Sequence, residues 1–200
     1  DLGDDMCRRI AYWPHEEMTF EACCETNGAL KRYYLSDNSG SRSSITFIAS
    51  TVLSQPMIIN GSSSSNRGGW PKYSLNGYLN NRLYYAFDEQ WRQLIKQVKV
   101  KSSVGDRSTE IANADCYVFI PSITELCAVV TGDPYESEGT LISHFSSNES
   151  RVCRKSDGTA VQYWTRSPNV GYTNYVYRID SAGMQQSITV LNTSDIYTRI

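Results

Sequence analysis

At 200 residues, with 40% hydrophobic and 20% charged side chains, the chain can bury a sizeable core and is too apolar for a disordered tail. The 19 Lys and Arg against 21 Asp and Glu leave a net charge of -2, which gives no electrostatic reason to expect a nucleic-acid partner. No apolar run approaches the ~20 residues that span a bilayer, so no membrane insertion is expected, and without a charged-then-apolar leader the expectation is that any signal peptide is absent or already removed.

In chain order, the first 44 residues show no clear period. Glu16 to Cys24 reads as a short helix, and Ser36 to Ser41 as a turn by composition. Ile45 to Leu53 carries β-branched and aromatic residues and reads as a strand. Gly61 to Gly69 is Ser- and Gly-rich, the composition of a flexible loop. Leu75, Tyr78, Leu79, Leu83 and Ala86 then recur on one face of a helix. Asp88 is placed to cap a second helix, with Trp91, Leu94, Ile95 and Val98 on its buried face. That face is expected to pack on the sheet holding Val118, Ile120 and Trp164.

Beyond it, Val98 and Val100 alternate with Lys99 and Lys101 as a half-exposed strand, and Ser103 to Ala114 reads as a polar loop. The run Cys116-Tyr-Val-Phe-Ile120 predicts a buried strand, and Ser122-Ile-Thr-Glu125 is the capping box of a short helix reaching about Val129. Asp133 to Lys155 is loop-rich, with an apolar patch at Leu141, Ile142 and Phe145. Four segments close the chain as a β-meander: Val161 to Arg166, Asn174 to Ile179, Ser187 to Leu191 and Ile196 to Ile200, separated by turn chemistry. Early strands, two central helices and a late antiparallel sheet predict an α+β domain.

Catalytic chemistry is poorly supplied. His15 and His144 lie in no nucleophile context, no Gly-rich phosphate loop is present, and no carboxylate pair stands out. Asp133, Glu136 and Glu138 could gather a hard cation on a loop, but a solvated acidic loop is the favoured reading. No enzyme activity and no cofactor are expected. Of the six Cys, Cys116 and Cys127 lie in apolar runs as small buried hydrophobes. At least four free thiols, and folding in a reducing cytosol, are expected.

Several motifs recur together: Asn66-Arg-Gly-Gly-Trp-Pro71, Leu75-Asn-Gly-Tyr-Leu-Asn80, Trp91 to Lys96, Val118-Phe-Ile-Pro-Ser122 with Glu125-Leu126, and Tyr163-Trp-Thr-Arg-Ser-Pro168. Their order and spacing resemble a domain-of-unknown-function family found in surface proteins of gut Firmicutes and in virion proteins of their tailed phages. The resemblance runs from about Ile45 to the C-terminus. It implies a C-type-lectin-like domain over residues 45–200, two short helices packed on a small twisted antiparallel sheet, with residues 1–44 as an attachment segment. The calcium-binding triplets of C-type lectins and the catalytic Cys pair of the related formylglycine-generating enzymes have no counterpart here, so an enzyme of that type is the weakest reading. Among the motif residues, Trp164 is expected in the core, and Arg166 is expected to tie loop carbonyls or a carboxylate together.

Function should therefore lie on the loops that the scaffold presents. The resemblance implies a virion protein, a tail, fibre or capsid-surface component assembled in the bacterial cytoplasm as a homo-oligomer. Its partners would be other virion proteins and a host-surface glycan or protein. The alternative is a secreted or wall-anchored adhesin. The candidate ligand-binding residues are Tyr172, Asn174, Tyr175 and Tyr177 on one turn and its emerging strand, with Asn192 and Tyr197 on a second turn. Tyr offers a flat apolar face with one hydroxyl, and Asn a donor and an acceptor. For Tyr175 and Tyr177, simple cover of the sheet is an equal alternative.

Overall fold

The longest strand, Ala160–Pro168, organises the fold. Its side chains alternate, so Val161 and Tyr163 enter one apolar cluster and Trp164 the other, and the sheet is covered on both faces. The computed structural model describes residues 47–127, 137–191 and 195–200, together with the backbone of short strands between residues 10 and 44.

The main sheet runs Cys153–Arg154, Ala160–Pro168, Tyr175–Ile179, Gln185–Thr189, all antiparallel neighbours. Its hairpins are set by Asx chemistry. Asp157 Oδ1 accepts from Thr159 N, and Asp180 Oδ1 accepts from the backbone N–H groups of Ala182 and Met184. The closing strand, Ile196–Tyr197, corrects the expected meander, because it pairs parallel with Ala160–Pro168. The reason is its second neighbour. Ala49 N, Leu53 N and Met57 N donate to the carbonyls of Ile200, Thr198 and Ile196, so the C-terminus is held between the long strand and residues 49–57.

The first apolar cluster contains Trp70, Leu75, Leu79, Leu83, Ile120 and Trp164. Trp164 is wholly buried, with its indole N–H donating to Met57 O at 2.6 Å. Leu75, Leu79 and Leu83 come from one continuous helical stretch: α-helical Ser74–Tyr78, π-helical Leu79–Leu83 and α-helical Tyr84–Ala86. The wide π turn rotates the following residues, so Phe87 is buried in place of the expected Ala86. The next helix, Glu89–Leu94, has Asp88 at its N-cap, and Trp91 and Ile95 lie half-buried against the cluster. Leu94 is 51% exposed, against expectation, because the chain leaves the helix at Ile95 after six residues.

The segment read as a polar loop is a strand in its second half. Ile111–Cys116 pairs in full antiparallel register with Val98–Ser103. Small inward residues, Ala114 and Cys116, alternate with outward Asn113 and Asp115, which hid the period from view. Conversely, the apolar run after Cys116 is not a strand. Asn80 supplies what a neighbouring strand would: its Oδ1 accepts from Tyr117 N and Val118 N, and its Nδ2 donates to Val118 O. The capping box is present, opening a helix at Ile123–Leu126 that ends before the expected Val129. The helix read at Glu16 to Cys24 is overturned. Glu16–Met18 pairs with Ile10–Tyr12, and Phe20–Ala22 pairs with Phe47–Ala49, whose edge offers a ladder to extend. Ile45 to Leu53 is strand only over Phe47–Ala49. The turn read at Ser36 to Ser41 lies outside the described residues.

With few helices and mainly antiparallel pairing, the domain is α+β. Among the described residues, no helix is long and apolar enough to cross a membrane.

Candidate ligand-binding site

The turn between Ala160–Pro168 and Tyr175–Ile179 is built around one buried amide. Asn169 Oδ1 accepts from Gly171 N, and Tyr172 N donates to Asn169 O, which closes the turn locally. Asn66, wholly buried in the neighbouring loop, then pins it. Its Nδ2 lies 3.1, 2.7 and 2.8 Å from the carbonyls of Asn169, Tyr172 and Tyr175, and its backbone N donates to Thr173 O at 2.8 Å. The Asn66 Oδ1 accepts from Asp106 N at 2.9 Å. The Gly61 to Gly69 segment, flexible by composition, is therefore a clamp at Asn66. Gly69 shows why it fits. A Cβ on Gly69, at φ 58°, would lie 2.0 Å from Ser103 O, so only glycine lets this loop lie on the hairpin end.

On this fixed frame Tyr172 is 55% exposed, and its ring lies 4.9 Å from that of Tyr175. Asn174 is exposed beside them, with its backbone carbonyl accepting from Val190 N. These three candidate residues share one surface. Tyr177 is half-buried against the second cluster, on the same strand face as Tyr175. Tyr197 also packs against that cluster, but pairs beside Tyr163, with the long strand between it and Tyr177. Asn192 lies outside the described residues. The rim near Asn66 carries Arg67 and Asp106, which face each other at 3.6 Å and leave it neutral.

A charge network holds the strand that leads into this turn. A register shift between Trp164 and Pro168 takes Arg166 out of the ladder. Its guanidinium, 1% exposed, meets Glu125 bidentately at 2.7 and 2.6 Å and donates to the carbonyls of Lys101, Ile120 and Glu138. Both roles expected of Arg166 are present. Burial alone would lower its pKa, but Glu125 and Glu138 beside it more than reverse this and hold it charged.

Glu138 is a second buried carboxyl in this network. It accepts from Ser103 N at 2.5 Å and makes a short contact with Ser167 Oγ. Arg166 gives its forked face to Glu125 and reaches only the backbone of Glu138, so two carboxyls share one cation. Burial pushes the Glu138 pKa up to about 7, against the pull of its hydrogen bonds and Arg166. Nothing in the sequence pattern marked Glu138 as internal. Asp133 and Glu136, its companions in the acidic loop, lie outside the described residues.

A separate open cavity of about 460 Å³ is lined by Cys127, Leu141, Phe145, Arg151, Met184 and Gln185. Arg151 is committed to the carbonyls of Gly183, Leu126 and Phe145. Burial pushes the Cys127 thiol up, which keeps it protonated and a poor nucleophile. Cys116, Cys127 and Cys153 are buried thiols, none in a disulfide, and the other three Cys lie outside the described residues, as does His15. His144 is half-buried, edge-on to Phe145. Among the described residues, no three His, Cys, Asp or Glu gather to hold a metal ion.

Residues 43–196 match the family described as a domain of unknown function, DUF6273. No curated protein matches the chain, and no solved structure does.

Proposed function

Since the chain belongs to the DUF6273 family, we propose that it is a ligand-binding domain of C-type-lectin-like architecture, displayed on a tailed-phage virion for attachment to the host surface. The observation that carries this reading is the Asn66 clamp. A buried amide fixes the carbonyls of a turn whose own side chains, Tyr172 and Asn174, face solvent. Such a turn presents an aromatic face and an amide with little ordering cost on binding. The main-chain bonds joining residues 49–57 to the C-terminal strand, which bring the two ends of the domain side by side, support the lectin-like reading. Buried thiols outside disulfides suit assembly in a reducing cytosol, with other virion proteins as partners.

The ligand is a host-surface glycan or protein, and the site is Tyr172, Asn174 and Tyr175. Replacing Tyr172 and Asn174 together by Ala removes only surface contacts, the Tyr172 ring against Tyr175 among them, so the melting temperature should stay within a few degrees of wild type. Attachment of the labelled chain to Firmicutes cells should be lost. Full attachment by that double variant would overturn the assignment.

A further inference from the structure

We propose that Gln185–Thr189 is a dimerisation edge, which pairs antiparallel with the same strand of a second copy about a twofold axis at Ser187. The strand ends the main sheet, beyond Tyr175–Ile179. Two backbone bonds flanking it fix which groups point where: Val190 N donates to Asn174 O, and Asp180 N to Met184 O. In an antiparallel ladder bonded and non-bonded pairs alternate, so Gln186 and Ile188 spend their N–H and C=O groups on Tyr175–Ile179. Gln185, Ser187 and Thr189 direct theirs outward, where, among the described residues, no backbone meets them.

Natural edges of this kind are usually protected by a charge, a proline, a bulge or a covering segment. The sheet's other end is covered, since Thr51 bridges to Arg154 and Val52 N donates to Arg154 O. Gln185-Gln-Ser-Ile-Thr189 has no charge, no proline and no register shift. Its outward groups are also self-complementary. With Ser187 opposite its own copy, Gln185 lies opposite Thr189, and every outward N–H and C=O meets one from the other chain. A charge at the axis would face itself, and the residue there is a neutral serine. Met184 and Leu191, 48% and 45% exposed, flank the strand, and the twofold brings the Met184 end of one copy to the Leu191 end of the other.

Sedimentation equilibrium of the full chain tests this directly. The wild type should move, with rising concentration, from the chain mass of 22.6 kDa towards twice that value. Ser187→Pro removes only an outward N–H, so it should keep the wild-type melting temperature and remain at the chain mass. Ser187→Lys, which sets two ammonium groups at the axis, should do the same and serves if the proline variant fails to fold. A wild type that stays at the chain mass at every concentration, or a folded lysine variant that dimerises like the wild type, would overturn the proposal.

Discussion

Replacing Arg166 by Met should cost this domain about 3–5 kcal/mol, the usual loss when one partner of a buried ion pair is removed. A domain of this size has about 5–15 kcal/mol to lose. The side chain is 1% exposed, and the substitution leaves the Glu125 carboxylate without its cation. It also strips a donor from the carbonyls of Lys101, Ile120 and Glu138, which lie on three different segments. Lys should rescue little. One ammonium can replace the charge, but not the planar fork that meets Glu125 and three carbonyls at once. The double variant Arg166→Met with Glu125→Leu should recover part of the loss, because the Glu125 carboxylate is then no longer left facing an absent cation. The recovery is only partial because Ser122 N loses its capping acceptor. Urea unfolding of the two variants measures both effects. A single variant within about 1 kcal/mol of wild type would show that the network is not what joins these segments.

The domain should be more stable at pH 5 than at pH 8, against the usual behaviour of carboxylates, and Glu138 is the cause. Its pKa is about 7 when folded and near the ordinary 4.5 when unfolded. The folded state therefore binds the proton more tightly. The contribution is fully present below the unfolded pKa and is lost as pH rises through the folded one. Over that window the change is about 3 kcal/mol, at 1.36 kcal/mol for each pKa unit. Glu138→Gln isolates this effect from every other titrating group. Its carbonyl can accept from Ser103 N and its amide can donate to Ser167 Oγ, as the protonated acid would. The variant should match wild type near pH 5, exceed it at pH 8, and show a flatter profile between. Parallel profiles for the two proteins would mean that Glu138 is ionised throughout.

Much of the scaffold was legible in the chain, for reasons that particular residues make clear. The capping box at Ser122 is a local device that works from four residues alone, and it is present as written. Trp164, with a large apolar ring to remove from water, and Arg166, with a fork that can tie several acceptors together, stood in one motif, and both are buried. What failed depended on distant partners. Asn80 replaces a strand that the run after Cys116 would otherwise need, and Phe47–Ala49 turns an expected helix near Phe20 into a ladder partner. The parallel pairing of Ile196–Tyr197 likewise depends on residues 49–57, far away in sequence.

The candidate site shows the same division. Exposed Tyr172 and Asn174 were legible because turn residues without a core role stand out. The residue that gives them a fixed frame, Asn66, lay in a stretch whose Ser and Gly content suggested only flexibility. Its one signal was position, an Asn directly before Arg-Gly-Gly-Trp, where a side-chain amide can satisfy backbone groups that a tight turn leaves over. Glu138 carried no such signal, since its burial depends on Ser103 and Ser167 meeting across the fold.

The central claim is that ligand meets this protein at the clamped turn. Chemical-shift mapping of the isotope-labelled chain, titrated with solubilised Firmicutes cell-wall glycan, tests it most directly. The account predicts that the amides of Gly171 to Tyr175 shift in a saturable manner, while those of Leu141, Phe145 and Met184 around the open cavity stay in place. Saturable shifts confined to the cavity, with the turn unmoved, would contradict it.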